Sequence, residues 1–532
     1  MTGALPEFEP SRRGLLRRRL DPRTLAPSLE SIRSRLDRIL ADGRARGVIL
    51  RVENLDAGWA TLEELRAELH RFREKGKTVA AYLVDPDTRS YYLASAADEI
   101  FASPLSTLNV VGLRARVNFL KDALGSLGLE TEVVAVSPYK SAADPISRSD
   151  FSPESREQTE RLLDARFDEL VSEISAGRDI PPERIKTIID NAPYSAAEAV
   201  RNKLIDGALY EDELAGRLSE GEKPARLAEW GVASKSLRLP YRSRGARKAV
   251  GLVRVEGTIV RGRSRKLPLP LPLLGREQAG TDSVVASLRV AEKSRRISAV
   301  LLYVDSPGGD ALASDLIWRE VERIRAKKPI VVLMGNAAAS GGYYVSAAAS
   351  HVVARRGTLT GSIGVLAIRP IALGLYEKLG INPVALERGA RAGLLDPSRR
   401  PSPDELRVIE GQIGRIYAEF KDRVARGRRM ELLDLEGIAG GRVWTGIEAL
   451  DLGLVDETGG FREALRKARE LGGIERDVPG VLTKVNPPRS GRPSPGEPAQ
   501  SAVDAIGEMW LALSELRAGG FLALAPYEIS EG

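Results

Sequence analysis

Residues 331–364, VVLMGNAAASGGYYVSAAASHVVARRGTLTGSIG, combine an apolar run with a cluster of small residues around one hydroxyl, that of Ser340. The apolar run, which ends at Met334, predicts a buried strand, and the small residues Ala337 to Gly342 follow it after Gly335 and Asn336. Glycines let a backbone turn sharply and approach a neighbour closely. A serine at a strand-to-helix junction, followed by glycines, exposes its Oγ beside backbone N–H groups. Taken alone, the stretch predicts either an activated serine or tight packing of a helix on a sheet.

Cysteine and histidine usage limits the chemistry that such a serine could use. The 532 residues include no cysteine, which excludes disulfides, thiolate catalysis and cysteine-bound metals. The two histidines are His70 and His351. His351 begins an apolar segment eleven residues after Ser340 and is expected to be structural, whereas His70 is expected on a helix surface. Neither a metal site nor a Ser-His-Asp triad is predicted, and any base for the serine is not histidine.

The charge pattern gives little support to a nucleic-acid partner. The formal net charge is +7, and much of it lies in an N-terminal arginine cluster, while aromatic residues make up 5% of the chain and form no recognisable binding module. The cluster is interpreted as a solvated tail, with an anionic membrane surface as the alternative. No run reaches the length of a transmembrane helix and no apolar signal-peptide core is present, so neither a span nor an export signal is expected.

Strands and helices alternate along the chain, which predicts an α/β fold with mostly parallel sheets. The predicted strands lie near residues 48–52, 78–84 and 132–137. The predicted helices lie near residues 28–45, 61–73, 117–127, 153–176 and 181–191.

The pattern then begins again, which indicates a tandem duplication. VILRVENL at 48–55 aligns with VLLYVDSP at 300–307, and Tyr91-Tyr92 aligns with Tyr343-Tyr344 at the same separation of 252 positions. The separation changes to 250 further on, where Tyr194-Ser195 matches Trp444-Thr445.

Each half can be compared with its twin. Thr88 stands opposite Ser340, and Asp56-Ala57 stand opposite Gly308-Gly309. The second half therefore holds the serine together with a glycine pair whose amides could approach a carbonyl oxygen.

The base is predicted by the same comparison. Lys140, in PYKSAADP, corresponds to Ala392, so one half has the lysine without the serine and the other the serine without the lysine. Complementary halves of this kind indicate one composite active site. A buried lysine with a depressed pKa can be neutral, accept the Ser340 proton and return it to a leaving amine.

With these features the chain resembles the signal peptide peptidase A family (peptidase family S49) in its long, tandem-repeat form, over about residues 30–475. The resemblance rests on four segments: YKSA (139–142), VDSPGG (304–309), MGNAAASGGYY (334–344) and TLTGSIG (358–364). It implies two ClpP/crotonase-like units and a Ser/Lys serine protease that cleaves signal-peptide remnants and other short apolar peptides, without a cofactor. It also implies membrane association and a homo-oligomeric ring or bowl, expected to be a tetramer.

The resemblance assigns roles to individual residues. Ser340 would be the nucleophile, Lys140 the general base and Ser362 the serine that orients the lysine amine. Gly308, Gly309 and Gly341 would form the oxyanion region. An extended peptide is expected to add to an edge strand near Val255–Val260.

The predicted domain organisation has five parts. These are a basic arm (1–27), a first repeat that supplies the lysine (28–235), a linker (236–247), a second repeat that supplies the serine and the oxyanion hole (248–475), and a Pro/Gly-rich linker with an amphipathic tail (476–532). The Leu/Pro stretch 267–274 is predicted as an apolar loop facing a partner subunit or a membrane. The tail is expected to dock on the protein itself, with a membrane-surface helix as the alternative.

Two other functions are considered. A crotonase-like acyl-CoA enzyme would share the glycine-rich oxyanion hole but uses glutamates as acid and base, and the carboxylates beside these segments are Asp305 and Asp310. A non-catalytic, membrane-associated scaffold of the same fold would not need Ser340, Lys140 and the glycine pair together.

Overall fold

The computed structural model describes most of the chain, and for residues 268–271, 521–524 and 530–531 it describes the backbone only. The described residues are 1–9, 27–219, 221–237, 248–271, 275–475, 481–488, 521–524 and 530–531. The arginine cluster, most of the predicted linker 236–247, the end of the Leu/Pro stretch and the amphipathic stretch before Phe521 lie outside these residues.

The chain forms two compact units. Unit 1 comprises residues 1–115, 163–244 and 529–532, and unit 2 comprises residues 116–162 and 245–528. Residues 116–162, which include Lys140, belong by sequence to the first repeat but pack within unit 2. The repeat boundary and the boundary between compact units therefore divide the chain differently, and Lys140 and Ser340 lie in the same unit.

Unit 1 is built on a four-stranded parallel sheet in the order 207–208, 99–102, 78–84, 47–53. Its strands are Gly3–Ala4, Gly47–Glu53, Leu55–Asp56, Thr78–Val84, Glu99–Ala102, Thr107–Leu108, Leu113–Arg114, Tyr194–Ser195, Gly207–Ala208 and Ser530–Glu531. Its helices are Leu29–Leu40, Trp59–Glu74, Thr88–Ala94, Pro182–Asp190, Ala196–Arg201, Leu214–Arg217 and Trp230–Ser236, with a 3-10 turn at Glu211–Glu213.

The elements of unit 2 are numbered here in chain order. The strands are β1 (Glu130–Ala135), β2 (Ala249–Glu256), β3 (Thr258–Val260), β4 (Arg265–Leu271), β5 (Gly275–Gly280), β6 (Ile297–Ser306), β7 (Gly308–Asp310), β8 (Ile330–Ala339), β9 (His351–Ala354), β10 (Leu359–Gly361), β11 (Leu366–Ile371), β12 (Val443–Thr445), β13 (Glu457–Thr458), β14 (Leu482–Lys484) and β15 (Phe521–Leu524). The helices are α1 (Lys121–Ser126), α2 (Asp144–Ser147), α3 (Pro153–Arg178, whose later residues belong to unit 1), α4 (Thr281–Lys293), α5 (Ala311–Arg325), α6 (Gly341–Ala347), α7 (Leu373–Lys378), α8 (Pro403–Arg428), α9 (Leu432–Ile438), α10 (Gly446–Asp451) and α11 (Phe461–Leu471).

Two sheets form the framework of unit 2. The first has the order β12-β10-β8-β6-β2-β14, with β9 paired to β8, and all of these pairs are parallel except β10 with β12. The second has the order β4-β5-β3-β7-β15-β11-β1. In β6 and β8 the apolar runs are buried on both faces, as expected for strands of a parallel sheet covered by helices. The predicted α/β fold with mostly parallel sheets is confirmed.

The two repeats keep equivalent local contacts. Tyr91 Oη donates a 2.8 Å hydrogen bond to the Leu204 carbonyl, and Tyr343 Oη donates one of 2.8 Å to the Leu454 carbonyl. Helices α3 and α8 both contain 26 residues. The matching hydrogen bonds and helix lengths agree with the duplication predicted from the sequence.

Three local predictions need correction. The predicted edge strand Val255–Val260 is divided between β2 and β3, because Gly257 (φ 82°) breaks the run. Neither part is an edge, since β2 lies between β6 and β14 and β3 lies between β5 and β7. The predicted helix 117–127 is only α1, since this segment has no buried residue to hold a longer helix. The Leu/Pro stretch is in part a strand, β4, at the edge of the second sheet, where prolines cost no ladder hydrogen bond.

The other expectations concern membrane spans, the Leu/Pro stretch and the C-terminal tail. Within the described part of the chain, no helix combines the length and the apolar character needed to cross a membrane. Whether the Leu/Pro stretch faces a partner or a membrane stays a prediction. Residues 521–524, at the end of the tail, pair as β15 with the protein's own sheet.

Candidate active site

Ser340 lies at the junction of β8 and α6, as the sequence predicts. Its backbone has φ 53° and ψ −113°, a conformation that non-glycine residues rarely adopt. Two hydrogen bonds fix the turn, since Ser340 N–H donates to the Gly361 carbonyl at 2.8 Å and Tyr344 N–H donates to the Ser340 carbonyl at 2.8 Å. The strained turn is therefore held by its surroundings. Nucleophilic serines are typically found on strained strand-to-helix turns of this kind, which hold Oγ in a fixed position.

The small residues after Ser340 allow close approach to the β6–β7 segment. A Cβ on Gly341 would lie 2.5 Å from Ser314 Oγ and 3.2 Å from Gly309 N, and a Cβ on Gly342 would lie 2.6 Å from the Ser306 carbonyl oxygen. Any side chain at these positions would push the two segments apart. The amide of Gly309 is thus brought next to Gly341, the residue that follows the serine.

Gly309 is constrained on its other side by β3. Its φ is 154°, and a Cβ there would lie 2.0 Å from the Ile259 carbonyl oxygen. Gly308 also has a positive φ, of 112°. Packing against Ile259 therefore requires a glycine at position 309, and the positive φ favours one at position 308. The main chain of this predicted pair lies beside the serine junction.

Lys140 reaches Ser340 through the segment that follows β1. Strand β1 pairs antiparallel with β11, and Ala135 lies opposite Leu366. The chain then turns so that Lys140 Nζ lies 2.6 Å from Ser340 Oγ, although the two residues are 200 positions apart. Both side chains are buried, with Lys140 2% exposed and Ser340 0% exposed.

The remaining contacts of the Lys140 amine are with Ser362. Nζ lies 2.9 Å from Ser362 Oγ and donates to the Ser362 carbonyl at 3.0 Å. Ser362 also has a positive φ, of 51°, and its N–H donates to the Arg442 carbonyl at 2.6 Å. The structure therefore brings together Ser340, Lys140 and Ser362, the three side chains that the sequence singled out.

Burial sets the protonation of Lys140. Its pKa is lowered well below the ordinary value of 10.5, because burial desolvates the amine and disfavours the ammonium form. Its close polar neighbours are two hydroxyls and a carbonyl, which can orient an amine without charging it.

The equivalent serine position in unit 1 has a different environment. Thr88 is buried, and its hydroxyl donates to the Gly112 carbonyl at 3.2 Å. Ala392, the counterpart of Lys140, is exposed in the loop that precedes α8. The second lysine position thus has neither an amine nor a buried setting.

The other residues considered from the sequence have structural partners. Asp305 accepts from Ala337 N–H at 3.0 Å and so supports the end of β8, and burial raises the pKa of its carboxyl. Asp310 caps α5 by accepting from Ala313 N–H at 2.7 Å. His351 Nε2 lies 3.1 Å from Glu457 Oε2, as expected for a structural role, and His70 is half-buried rather than fully on the surface.

Sequence reasoning missed Gly441. A Cβ on Gly441, which has φ 90°, would lie 2.8 Å from N, Cα and Cβ of Lys140, and a Cβ on Gly364 would lie 3.3 Å from Lys140 Cδ. Gly441 N–H donates to the Ile363 carbonyl at 2.9 Å, next to Ser362. The Gly440-Gly441 pair was the available signal, but nothing local connects it with a lysine 301 positions earlier.

If Lys140 is the base that the family resemblance implies, Gly441→Ala is expected to reduce kcat for peptide hydrolysis by about tenfold or more, because a misplacement of about 1 Å in a positioned group can cost up to about 10²-fold. The prediction is checked by steady-state kinetics and by thermal unfolding of the variant and the wild type. Gly411→Ala is the matched control, since a Cβ there meets no atom within 4 Å on α8. Equal activities of the two variants would show that Gly441 does not position the lysine.

Family comparisons agree with this description. The model of Peptidase family S49 matches the chain twice, at residues 71–224 and at residues 322–475. The model of the Clp protease family matches residues 274–361. The two S49 matches cover more than half of the chain and repeat the tandem arrangement. The Clp protease match spans Gly308-Gly309 and Ser340. The predicted family and the ClpP-like character of the fold are confirmed.

Individual relatives include serine proteases. The chain is 32% identical over 462 residues to Serine protease SPPA, chloroplastic, of Arabidopsis thaliana, covering 85% of this chain and 67% of the relative. It is 30% identical over 457 residues to Protease 4 of Haemophilus influenzae, covering 82% and 72%. Among solved structures, a point mutant of ClpP1 from Listeria monocytogenes is 15% identical to this chain with a TM-score of 0.26, and the match covers 40% of this chain and 94% of the ClpP1 chain.

Proposed function

The chain belongs to peptidase family S49, and from that premise we propose that it is a serine endopeptidase with a Ser340–Lys140 dyad. The observation that carries the proposal is the 2.6 Å separation of Lys140 Nζ and Ser340 Oγ, both buried. A neutral amine at that distance can accept the serine proton while Oγ attacks a peptide carbonyl.

The proposed reaction has two stages. Oγ of Ser340 bonds to the carbonyl carbon, and the proton passes to Lys140 Nζ and then to the leaving amine as the peptide bond breaks. Water then attacks the acyl carbonyl and gives a proton to Lys140 Nζ. As the bond between the acyl carbon and Oγ breaks, this proton passes to Ser340 Oγ, which releases the acid and restores both residues. Ser362 would hold the amine in register through its contacts at 2.9 and 3.0 Å.

The oxyanion donors in this proposal are main-chain amides. Gly341 N–H follows the nucleophile, and the short distance from the Gly341 Cβ position to Gly309 N, 3.2 Å, supports Gly309 as the second donor. Amides fixed in this way stabilise the developing oxyanion without reorganising. Gly308 would contribute the backbone conformation that turns the Gly309 amide toward the site.

The proposed substrates are short apolar peptides such as signal-peptide remnants, cleaved internally. The test is a set of internally quenched peptides with apolar or charged central residues, incubated with wild type and analysed by product mass. Internal cleavage of the apolar set, absent in Ser340→Ala, is the expected result. Turnover of an acyl-CoA without peptide cleavage would favour the crotonase-like alternative, although Asp305 and Asp310 are engaged in structural hydrogen bonds.

Assembly into a homo-oligomeric ring or bowl is part of the same proposal, with a tetramer as the expected state. Native mass spectrometry of the active protein measures it directly. A fully active monomer would contradict this part and leave the dyad unaffected. Contact with a membrane surface stays a prediction.

The dyad predicts a specific pH dependence. Because burial lowers the pKa of Lys140 well below 10.5, the amine is neutral above that lowered pKa and protonated below it. Activity requires the neutral form, so kcat/KM should rise as pH increases through the lowered pKa and level off before pH 10.5. Initial rates across the pH range on one apolar peptide provide the measurement. A midpoint at the ordinary lysine value, or a rate that falls as pH rises in this range, would exclude a buried neutral base.

A further inference from the structure

Strand β8 changes its neighbour shortly before it reaches Ser340. Residues 331–333 of β8 pair with β9, whereas residues 337–339 pair with β10. Ser340 stays beside β10, because its N–H donates to the last carbonyl of that strand at 2.8 Å. The residue that follows β10 is Ser362, which contacts the lysine amine. The change of neighbour therefore brings the proposed nucleophile beside the residue that orients the proposed base.

A bulge in the pairing of β8 with β6 lies at the point where the neighbour changes. The register of β6 against β8 shifts between Val304 and Ser306. Asp305 alone therefore stands opposite residues 335–337 of β8. Bulges bend the strand that carries them and can redirect a side chain next to an active site. The bulge thus allows β8 to leave β9 and continue along β10.

The carboxylate of Asp305 binds the bulge directly. Its Oδ1 accepts from Ala337 N–H at 3.0 Å. Its Oδ2 accepts from the Asn336 side-chain amide at 3.3 Å and from Tyr303 Oη at 3.2 Å. A Cβ on Gly335 would lie 2.6 Å from Asp305 Cγ, so the backbone of the bulge and this side chain are closely packed. All three residues of the bulge therefore lie against one carboxylate.

Two buried threonines hold the same part of β8 from the side of β10. Thr358 Oγ1 donates to the Gly335 carbonyl at 2.7 Å. Thr360 Oγ1 donates to the Ala338 carbonyl at 2.7 Å. Both threonines belong to the segment that leads into Ser362. The bulge is therefore fixed between the carboxylate on β6 and the segment that carries the lysine-orienting serine.

The first repeat offers an internal comparison. Residues 47–53 and 78–84, all of which the structure describes, pair in an unbroken register. Glu53 stands at the position that corresponds to Asp305, and its carboxylate pairs with Arg51 of its own strand at 2.9 Å. Over these residues, the repeat that has a threonine in place of the serine has no bulge. The bulge accompanies the nucleophile and is not a general feature of the fold.

We propose that Asp305 is a positioning residue for the nucleophile: its carboxylate holds the bulge at residues 335–337 and thereby sets the direction of Ser340. This inference rests on the proposed peptidase function and gives a role to a carboxylate that lies outside the reacting groups. Without the carboxylate, the Ala337 N–H loses its acceptor and the bulge can move. A misplacement of about 1 Å in a reacting group can cost up to about 10²-fold in rate, so the effect should appear in kcat and not in KM.

The kinetic test compares Asp305→Ala with Asp456→Ala at a temperature where both variants are folded. Asp456 is the matched control, because its carboxylate also holds a strand of the same sheet, accepting from Val352 N–H of β9 at 2.7 Å. That strand lies on the branch that does not lead to Ser340. Asp305→Ala is expected to lower kcat for an apolar peptide about tenfold or more with KM within about twofold, and Asp456→Ala should keep kcat within about twofold. Unchanged kcat in Asp305→Ala, or an equal fall in both variants, would overturn the proposal.

Asp305→Asn keeps the size of the side chain and provides the test if the alanine variant does not fold. Its amide oxygen can still accept from Ala337 N–H, whereas its NH₂ group would face the Asn336 amide, which is also a donor. We therefore expect a kcat below that of the wild type and above that of a folded Asp305→Ala protein. An Asp305→Asn protein with the kcat of the wild type would contradict the proposal.

Hydrogen exchange separates failure of this inference from failure of the proposed function. Backbone amide exchange is followed by mass spectrometry in the wild type, Asp305→Ala and Asp456→Ala, without substrate. Exchange in residues 335–340 is expected to be at least about tenfold faster in Asp305→Ala only, because local protection depends on the hydrogen bonds that close the segment. Wild-type exchange there in Asp305→Ala would overturn the proposal even if peptides are hydrolysed. The expected increase, confined to that variant, would support it even if no hydrolysis is observed.

Discussion

Ser340→Ala is expected to reduce kcat/KM for apolar peptides by at least about 10³-fold, because it removes the atom that forms the acyl-enzyme. The protein should stay folded, since Ser340 is held by its main-chain hydrogen bonds and the alanine keeps the Cβ. The measurement is initial rates at high enzyme concentration, beside circular dichroism and thermal unfolding.

Ser340→Gly is the matched variant for this first prediction. It removes the same hydroxyl and also relieves the strain of a non-glycine residue at φ 53°. We expect it to be as inactive as Ser340→Ala and at least as stable. Residual activity near that of wild type in either variant would mean that another residue is the nucleophile.

Lys140→Met should reduce kcat/KM by about 10²- to 10⁴-fold, the usual contribution of a general base. It should also stabilise the protein at neutral pH. The folded-state pKa of Lys140 is lowered, so between that value and 10.5 the unfolded chain binds a proton that the folded chain does not, and stability rises with pH in this window. Methionine carries no charge whose burial costs free energy. The difference in unfolding free energy between Lys140→Met and the wild type should therefore vanish above pH 10.5, where the lysine is neutral in both the folded and the unfolded chain.

The lysine prediction is checked by thermal unfolding of the wild type and of Lys140→Met at neutral and alkaline pH. At neutral pH the Tm of Lys140→Met is expected to be about 2 °C or more above that of the wild type. Lys140→Arg is the control, because a guanidinium stays charged when buried and should give an inactive, less stable protein. A Lys140→Met protein with wild-type activity would contradict the dyad, and one destabilised at neutral pH would contradict the neutral state of the amine.

The sequence predicted the local parts of the site well. The strand-to-helix junction at Ser340 follows from an apolar run and small residues that are contiguous. Lys140 became a candidate only through comparison of the two repeats, because its contact with Ser340 joins positions 200 residues apart. The geometry of that contact depends on the pairing of β1 with β11, which no local pattern encodes.

The missed features are also long-range. Gly441 packs against the Lys140 backbone, and its need for a positive φ is not visible in the sequence. The pairing of β15 with β7 and β11 joins segments that lie far apart in the chain. The segment Val255–Val260, predicted as an edge strand, is not at an edge, because β14 pairs with β2 and β5 pairs with β3. These pairings depend on tertiary packing and not on the residues of the segment itself.

The most direct test of the Ser340–Lys140 dyad is covalent labelling by a serine-directed fluorophosphonate, with the adduct located by peptide mass spectrometry. The dyad predicts a single adduct on Ser340 in the wild type, none in Ser340→Ala, and labelling slowed by about 10²-fold or more in Lys140→Met. An adduct on a different serine, or labelling of Lys140→Met at the wild-type rate, would contradict it.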